Sequence, residues 1–529
     1  MRTILAVLLL VAVAVANAAG AGTAPRGLVN ARIWTGDPAR PWAEAMAWAG
    51  GRIVAIGDED EVREAAGDVP MLDARGRLVV PGFIDSHVHF IDGGFRLASV
   101  QLRDAADRAE LTARIAAFAR TVPAGTWIQG GDWDHSLWGG ELPSRTWIDA
   151  VTPDHPVWVN RLDGHMALAN SAALRAAGIT RDTKDVDGGE IVRDADGEPT
   201  GVLKDNAMAL VDRIVPAPSD AMRDRALAAA MAYVNAQGVT SVHAMGTWDD
   251  LDTYARAPRD VRSVRIYAAV PLADWQKLAR VVRTKRFGGD DGRGDAWLRI
   301  GMLKGFVDGS LGSHTAAFHE PFADAPDDRG LLVNEPGALR KWIAGADAAG
   351  LQVAVHAIGD RAIDLLLDIY ESVERENGAR DRRFRIEHAQ HLSNAAIPRF
   401  AKLGVIASMQ PYHAIDDGRW AEKAIGARIA TTYAFRDLLD AKARIAFGSD
   451  WFVAPPTPIE GIYAAVTRRT LDGANPDGWV PRQKITVEQS LRAYTRDAAF
   501  ASFEENDKGT LAKGRLADFV ILDRDLFAL

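Results

Sequence analysis

The 529-residue chain carries a formal net charge of −9, with 48% hydrophobic residues, 25% charged residues and no cysteine. Such a composition is that of an ordinary globular protein of roughly two to four domains. It excludes a nucleic-acid surface, which needs a basic stripe, and has no block of like charge to dock on anionic lipid. Without thiols there are no disulfides, no cysteine nucleophile and no thiolate ligands, so any metal must be held by nitrogen and oxygen.

The chain opens with Arg2, an apolar run over 4–16 and the small-residue site Ala16-Asn17-Ala18. This pattern predicts a signal peptide over 1–18, export to the periplasm or beyond, and no membrane attachment after cleavage. The apolar run is shorter than the ~20 residues that span a bilayer. Short β-like pieces follow at 28–34, 45–48, 52–56 and 70–73, separated by Gly-containing turns. Similar pieces recur at 509–511 and 514–522. Neither end has enough apolar material for a sheet domain alone, so 26–78 and 505–529 are expected to form one small composite β-sandwich.

Between them lie eight short apolar strands, at 78–89, 239–243, 265–270, 299–307, 352–356, 384–388, 405–410 and 444–450. Helical patterns such as 226–235, 337–349 and 362–374 alternate with them. Strand–helix alternation predicts an α/β fold with parallel pairing, closed as a (β/α)8 TIM-like barrel over 79–89 and 217–504. Its active site belongs at the C-terminal strand ends. The interval after the first strand is too long for a barrel loop. It contains β-like segments at 126–133 and 156–164 and a Gly-rich hairpin at 188–197. We therefore expect 90–216 to be an inserted subdomain covering the barrel mouth.

The first barrel strand ends in His87-Val88-His89. Alternate residues of a strand share a face, so both imidazoles point the same way and can chelate one divalent ion. Lys304 lies within an apolar strand, where burial favours the neutral amine. A neutral amine can take up carbon dioxide to give a carbamate with two ligating oxygens, although a lysine salt-bridged to an acid such as Asp308 is an equal reading of this strand. His356 and His388 each sit where a strand gives way to a loop, and Asp450 ends the last one. Singly, these residues are also read as core histidines and a helix N-cap. Together, His-x-His, Lys, His, His and Asp converge at one barrel mouth. Six such donors around no metal would be an expensive arrangement of unpaired polar groups.

The segments Pro81 through His89, Lys304 through Ser310, His356-Ala357-Ile358-Gly359-Asp360, Glu387-His388-Ala389, Gly448-Ser449-Asp450 and Gly514 through Phe519 resemble the amidohydrolase superfamily. Within it, they resemble amidohydrolase family 3, the YtcJ-like group that includes N-substituted formamide deformylases. The resemblance spans nearly the whole chain after the leader. It implies a binuclear metal centre of two divalent ions, with zinc the expected metal. His87 and His89 would bind one ion, His356 and His388 the other, and carboxylated Lys304 would bridge them. Asp450 would bind the first ion and handle protons.

Two cations ~3.5–4 Å apart can share one water and lower its pKa towards ~7. The expected reaction is then attack of a bridging hydroxide on an amide-like carbonyl, with proton transfer through Asp450 to the leaving nitrogen. The enzyme would be a hydrolase of C–N bonds other than peptide bonds, acting on an N-acyl or N-formyl amine. His165, in Asp163-Gly164-His165, is expected in the pocket as a hydrogen-bond donor to the substrate. Trp133, Asp134, Asp308, Ser310, His314, Tyr412 and His413 are further substrate-side candidates. The insertion's tryptophans are equally read as its core. The expected partner is a small-molecule substrate, with assembly into a homodimer left open. Alternatives are a mononuclear-metal deaminase of a heterocycle, against which Lys304 weighs, and a non-catalytic exported ligand-binding protein, which would be expected to lack some of the ligands.

Overall fold

The computed structural model describes residues 26–528, so the expected signal peptide lies outside the described residues. Among these residues no helix is long and apolar enough to cross a membrane.

Eight parallel strands form the central sheet: β1 Phe83–Val88, β2 Val239–Met245, β3 Arg265–Pro271, β4 Leu298–Phe306, β5 Gln352–Ala357, β6 Arg385–His388, β7 Ile406–Met409 and β8 Arg444–Phe447. They neighbour one another in sequence order, β1 beside β2 through to β7 beside β8. The ring closes through a parallel bridge between Val88 and Trp451. Gly448 permits this closure, because a Cβ there would lie 2.5 Å from the backbone nitrogen of His87. The fold is thus a TIM-like barrel, with strands buried on both faces and read as continuous apolar runs. Around it, helices such as Asp360–Asn377 turn one apolar stripe inward, here Ile363, Leu366, Leu367, Tyr370 and Val373.

The sequence run 78–89 is not one strand. Leu78–Pro81 pairs with Phe519–Leu522 and Arg32–Trp34 in a terminal sheet, and β1 begins only after Gly82. A Cβ on Gly82 would meet the Thr240 hydroxyl at 2.2 Å, so the chain changes sheets where only glycine fits against β2. A second four-stranded sheet, from Arg26–Val29, Ala45–Ala49, Arg52–Gly57 and Met71–Asp73, faces the first. Leu28, Met46, Ile53, Val79, Phe519 and Ile521 fill the core they share. The C-terminal segment supplies a single strand, Phe519–Leu522, followed by a short 3-10 turn at Leu526–Ala528.

Between β1 and β2 the chain builds a six-stranded mixed sheet from strands between Val100 and Asp205. Its core holds Leu111, Ile128, Trp133, Trp147, Ile148 and Val159.

Candidate active site and metal centre

At the C-terminal end of the barrel, His87, Lys304, His356, His388 and Asp450 are buried together, and His89 is three-quarters buried. Nε2 of His87 lies 3.1 Å from Lys304 Nζ and 3.5 Å from Asp450 Oδ1. Nε2 of His89 lies 3.4 Å from that same oxygen. The His356 and His388 rings are 4.5 Å apart, and His388 is 4.9 Å from His87. The six residues expected to ligate metal are therefore one constellation.

Its chemistry fits divalent cations. A ligating histidine normally donates its second ring N–H to a fixed acceptor. His87 Nδ1 donates to Glu387 Oε2 at 2.5 Å, His356 Nε2 to the Gly309 carbonyl at 2.9 Å, and His388 Nδ1 to Gln410 Oε1 at 2.9 Å. Each leaves its other nitrogen for a cation. Burial, then the neighbouring Lys304 charge, brings His87 down to about 4. Burial likewise holds His356 and His388 well below the ordinary range, so all three are neutral and able to coordinate. Burial alone would raise Asp450, but the facing histidines hold it well below the usual carboxylate range. Its Oδ1 is buried with no hydrogen-bond partner. Ligand atoms of His87, His89 and Asp450 lie within 4.8 Å of one another, as do those of His388, His413 and Asp450.

Two of the expected ligands sit in the left-handed region, His388 at φ 72° and Asp450 at φ 61°. In a regular strand Glu387 and His388 would face opposite ways. The turn of the backbone at His388 breaks the alternation, and both residues lie beside His87, Glu387 at 2.5 Å from its Nδ1 and the His388 ring at 4.9 Å. Asp450 is held by its N–H bond to the His87 carbonyl, at 2.7 Å. Asp85 ties β1 to the same loop, accepting from the Ser449 N–H at 2.8 Å and the Ser449 hydroxyl at 2.5 Å. Burial nevertheless pushes its carboxyl up to about 7.

Beneath the site runs a buried network that sequence reasoning missed. Arg385 donates to Glu387 Oε1 at 2.7 Å, the Ser86 carbonyl at 2.6 Å and the Ser408 hydroxyl at 2.9 Å, and lies 2.9 Å from His243 Nδ1. Burial would raise Glu387, but Arg385 and His87 bring it down to about 2, a permanent anion under the ligand. Glu387→Ala leaves Arg385 without its buried counter-ion and His87 without its acceptor. We expect a loss of about 3–5 kcal/mol in denaturant unfolding and about 10–100-fold in metal affinity by titration. A variant as stable and as metal-avid as wild type would show the network to be dispensable.

The catalytic cavity has a volume of about 230 Å3. Its walls include His89, Lys304, His356, His388, Asp450, Asp134, His165, Ser310 and His413, so insertion and barrel both contribute. His165 Nδ1 donates to Asp205 Oδ1 at 2.6 Å, and its ring lies 4.9 Å from that of His356. Burial would lower His165, but Asp205 more than offsets this and raises it. Asp163 binds Arg161 at 2.6 Å and accepts from the Ser310 and Ser313 hydroxyls, stitching the insertion to the β4 loop. Burial opposes its charge, but Arg161 and His165 hold Asp163 at about 2.

Four substrate-side expectations are corrected by placement. Trp133 is fully buried in the insertion core, its indole donating to the Val159 carbonyl, and lies outside the cavity. Asp308 is also fully buried and accepts from the backbone N–H groups of Ala317, Ile358 and Gly359, so it braces two loops instead of facing substrate. His314 packs on Phe322 and bonds Asp324, and does not line the cavity. Tyr412 also lies outside the lining, while its neighbour His413 is part of it. Asp205, Gln410 and Glu387 are the functional neighbours the sequence did not single out. The spacing of Arg385 and Glu387, two charges two apart in an apolar strand, was the only local signal.

Comparison with known proteins agrees with this geometry. The amidohydrolase family model matches residues 71–529. The chain is 41% identical to Protein LONG AFTER FAR-RED 3 of Arabidopsis thaliana, covering 94% of this chain and 88% of that protein. It is 31% identical to N-substituted formamide deformylase of Arthrobacter pascens, covering 94% and 93% of the two chains. Among solved structures, a metal-dependent hydrolase of Pyrococcus horikoshii superposes with a TM-score of 0.76 at 28% identity, covering 96% of this chain and 98% of that one. A TIM-like barrel matched along nearly its whole described length makes the chain a metal-binding hydrolase that belongs to the amidohydrolase family.

Proposed function

We propose that the protein hydrolyses the C–N bond of an N-acyl or N-formyl amine at a centre of two divalent ions. The observation that carries the reading is the convergence of His89, Lys304, His356, His388 and Asp450 on one cavity, with His87 buried behind them at 3.1 Å from Lys304 Nζ and the second nitrogens of His87, His356 and His388 committed. The likeness to a formamide deformylase supports the bond class. Zinc suits the nitrogen and oxygen donors. When bound, the ions supply Lewis acidity and an acidified water.

The chain's own residues do the rest. Asp450, with its unpartnered Oδ1, takes the proton from the attacking water and passes it to the leaving nitrogen. His165, fixed through Nδ1 by Asp205, donates from Nε2 to the substrate carbonyl as negative charge develops there. As its neutral amine Lys304 can take up carbon dioxide, forming an N–C bond and releasing one proton, and the carbamate would then offer two oxygens to hold the ions. Burial lowers this amine to about 8, and among the described residues no carboxylate lies within 4.0 Å of Nζ.

The test is a panel of N-substituted formamides and N-acyl amino acids, offered to zinc-loaded protein with amine release as the readout. Turnover of at least one class is expected. Dialysis against a chelator should abolish it and added zinc restore it. No turnover in a metal-loaded sample would favour a ligand-binding role.

A further inference from the structure

The catalytic cavity, at about 230 Å3, is smaller than the ~300–1,000 Å3 usual for small-molecule sites. It has room for the reacting group and little more. A second cavity of about 700 Å3 lies beside it, between the inserted sheet and helix Asp220–Ala236. Its walls are mainly apolar: Phe95, Phe118, Trp127, Trp158, Met208 and Met222. Met222 is 45% exposed, a large apolar side chain left open to solvent at this edge. The Trp158 indole N–H donates to Asp212 at 2.7 Å, which fixes one aromatic wall in place.

The two cavities share a boundary. Asp92 lines both. Arg96 lines the larger one, and its guanidinium lies 4.5 Å from the ring of Phe452, which lines the catalytic cavity. Arg96 is also held at 3.5 Å from Asp132. The partition is therefore one layer of side chains.

We propose that the larger cavity is the substituent-binding half of the substrate site, taking an apolar or aromatic group carried on the amine, which passes over Asp92 while the acyl carbon stays at the ligand cluster. An aromatic, apolar lining with a few charged groups, Asp92 and Arg96 at the partition among them, selects such a group. The assignment rests on the hydrolytic reading above for its meaning as substrate recognition.

Ala98 and Ala217 both line the larger cavity and have no part in the catalytic machinery. Ala98→Trp and Ala217→Trp should each narrow it. With zinc-loaded protein, either variant should raise KM for N-(2-phenylethyl)formamide about tenfold or more, with KM and kcat for N-methylformamide unchanged. Independently of turnover, calorimetry should detect 2-phenylethylamine binding to the wild-type holoprotein and its loss in both variants. Equal KM changes for the two formamides, or amine binding that is absent from wild type or untouched by either variant, would overturn the proposal. Failure of every formamide to turn over while plug-sensitive amine binding persists would overturn the hydrolytic reading and leave the cavity as a binding site.

Discussion

Asp450→Asn is expected to lower turnover by about 10²–10⁴-fold, the range for loss of a positioned acid–base group, while leaving the fold and most of the metal in place. Asparagine has the same shape and keeps an oxygen where Asp450 Oδ1 faces His87 and His89 at 3.5 and 3.4 Å. It tolerates the left-handed backbone that Asp450 adopts at φ 61°. The bond from its N–H to the His87 carbonyl does not depend on the side chain. What the amide cannot do is accept the proton that attack releases and return it to the leaving nitrogen. Steady-state kinetics, elemental analysis and thermal unfolding on one preparation separate the possibilities. Normal activity would remove Asp450 from proton transfer, and inactivity with metal lost would make it chiefly a ligand.

The same residue illustrates how far the sequence could be read. Its place at the end of an apolar run, like those of His87, His89, Lys304, His356 and His388, follows from strand periodicity and from the rule that barrel chemistry sits at C-terminal strand ends. These are local patterns, and local patterns are legible. The supports are not. Asp205 meets His165 across forty positions, and Glu387 meets His87 across three hundred, so no window of sequence pairs them. Asp308 was misread for the converse reason. An acid just past a strand looks like a mouth residue, yet here three backbone amides arriving from two loops enclose it. Trp133 ends a β-like segment and admits both a mouth and a core reading; the parallel partner strand decides for the core by supplying its indole with a carbonyl there. The break at Gly82 escaped notice because apolar residues continue unbroken on both sides of it. Only the contact with Thr240 shows why the chain must leave one sheet there and enter another.

Lys304→Ala should drop bound metal towards one ion per chain and abolish turnover, with the fold intact. Most buried charges cannot be removed without stranding a partner, but here the residue closest to Nζ is a neutral imidazole, His87, at 3.1 Å. Of the two anions that act on the amine, Glu387 keeps Arg385 as its counter-ion and Asp450 keeps its facing histidines. The substitution therefore breaks no salt bridge, and loss of metal can be assigned to loss of the bridging group. Elemental analysis that still finds two ions would sink the bridging role. Carbamate formation itself has a pH signature. The amine reacts only when neutral, and burial brings Lys304 to about 8 from an ordinary 10.5. The neutral fraction therefore rises steeply between pH 7 and 9, where an exposed lysine remains almost wholly charged. Metal-free protein incubated with labelled bicarbonate should show a carbamate carbon by NMR that grows over this range and is absent from Lys304→Ala. A signal that persists in the variant would place the carbamate on another lysine.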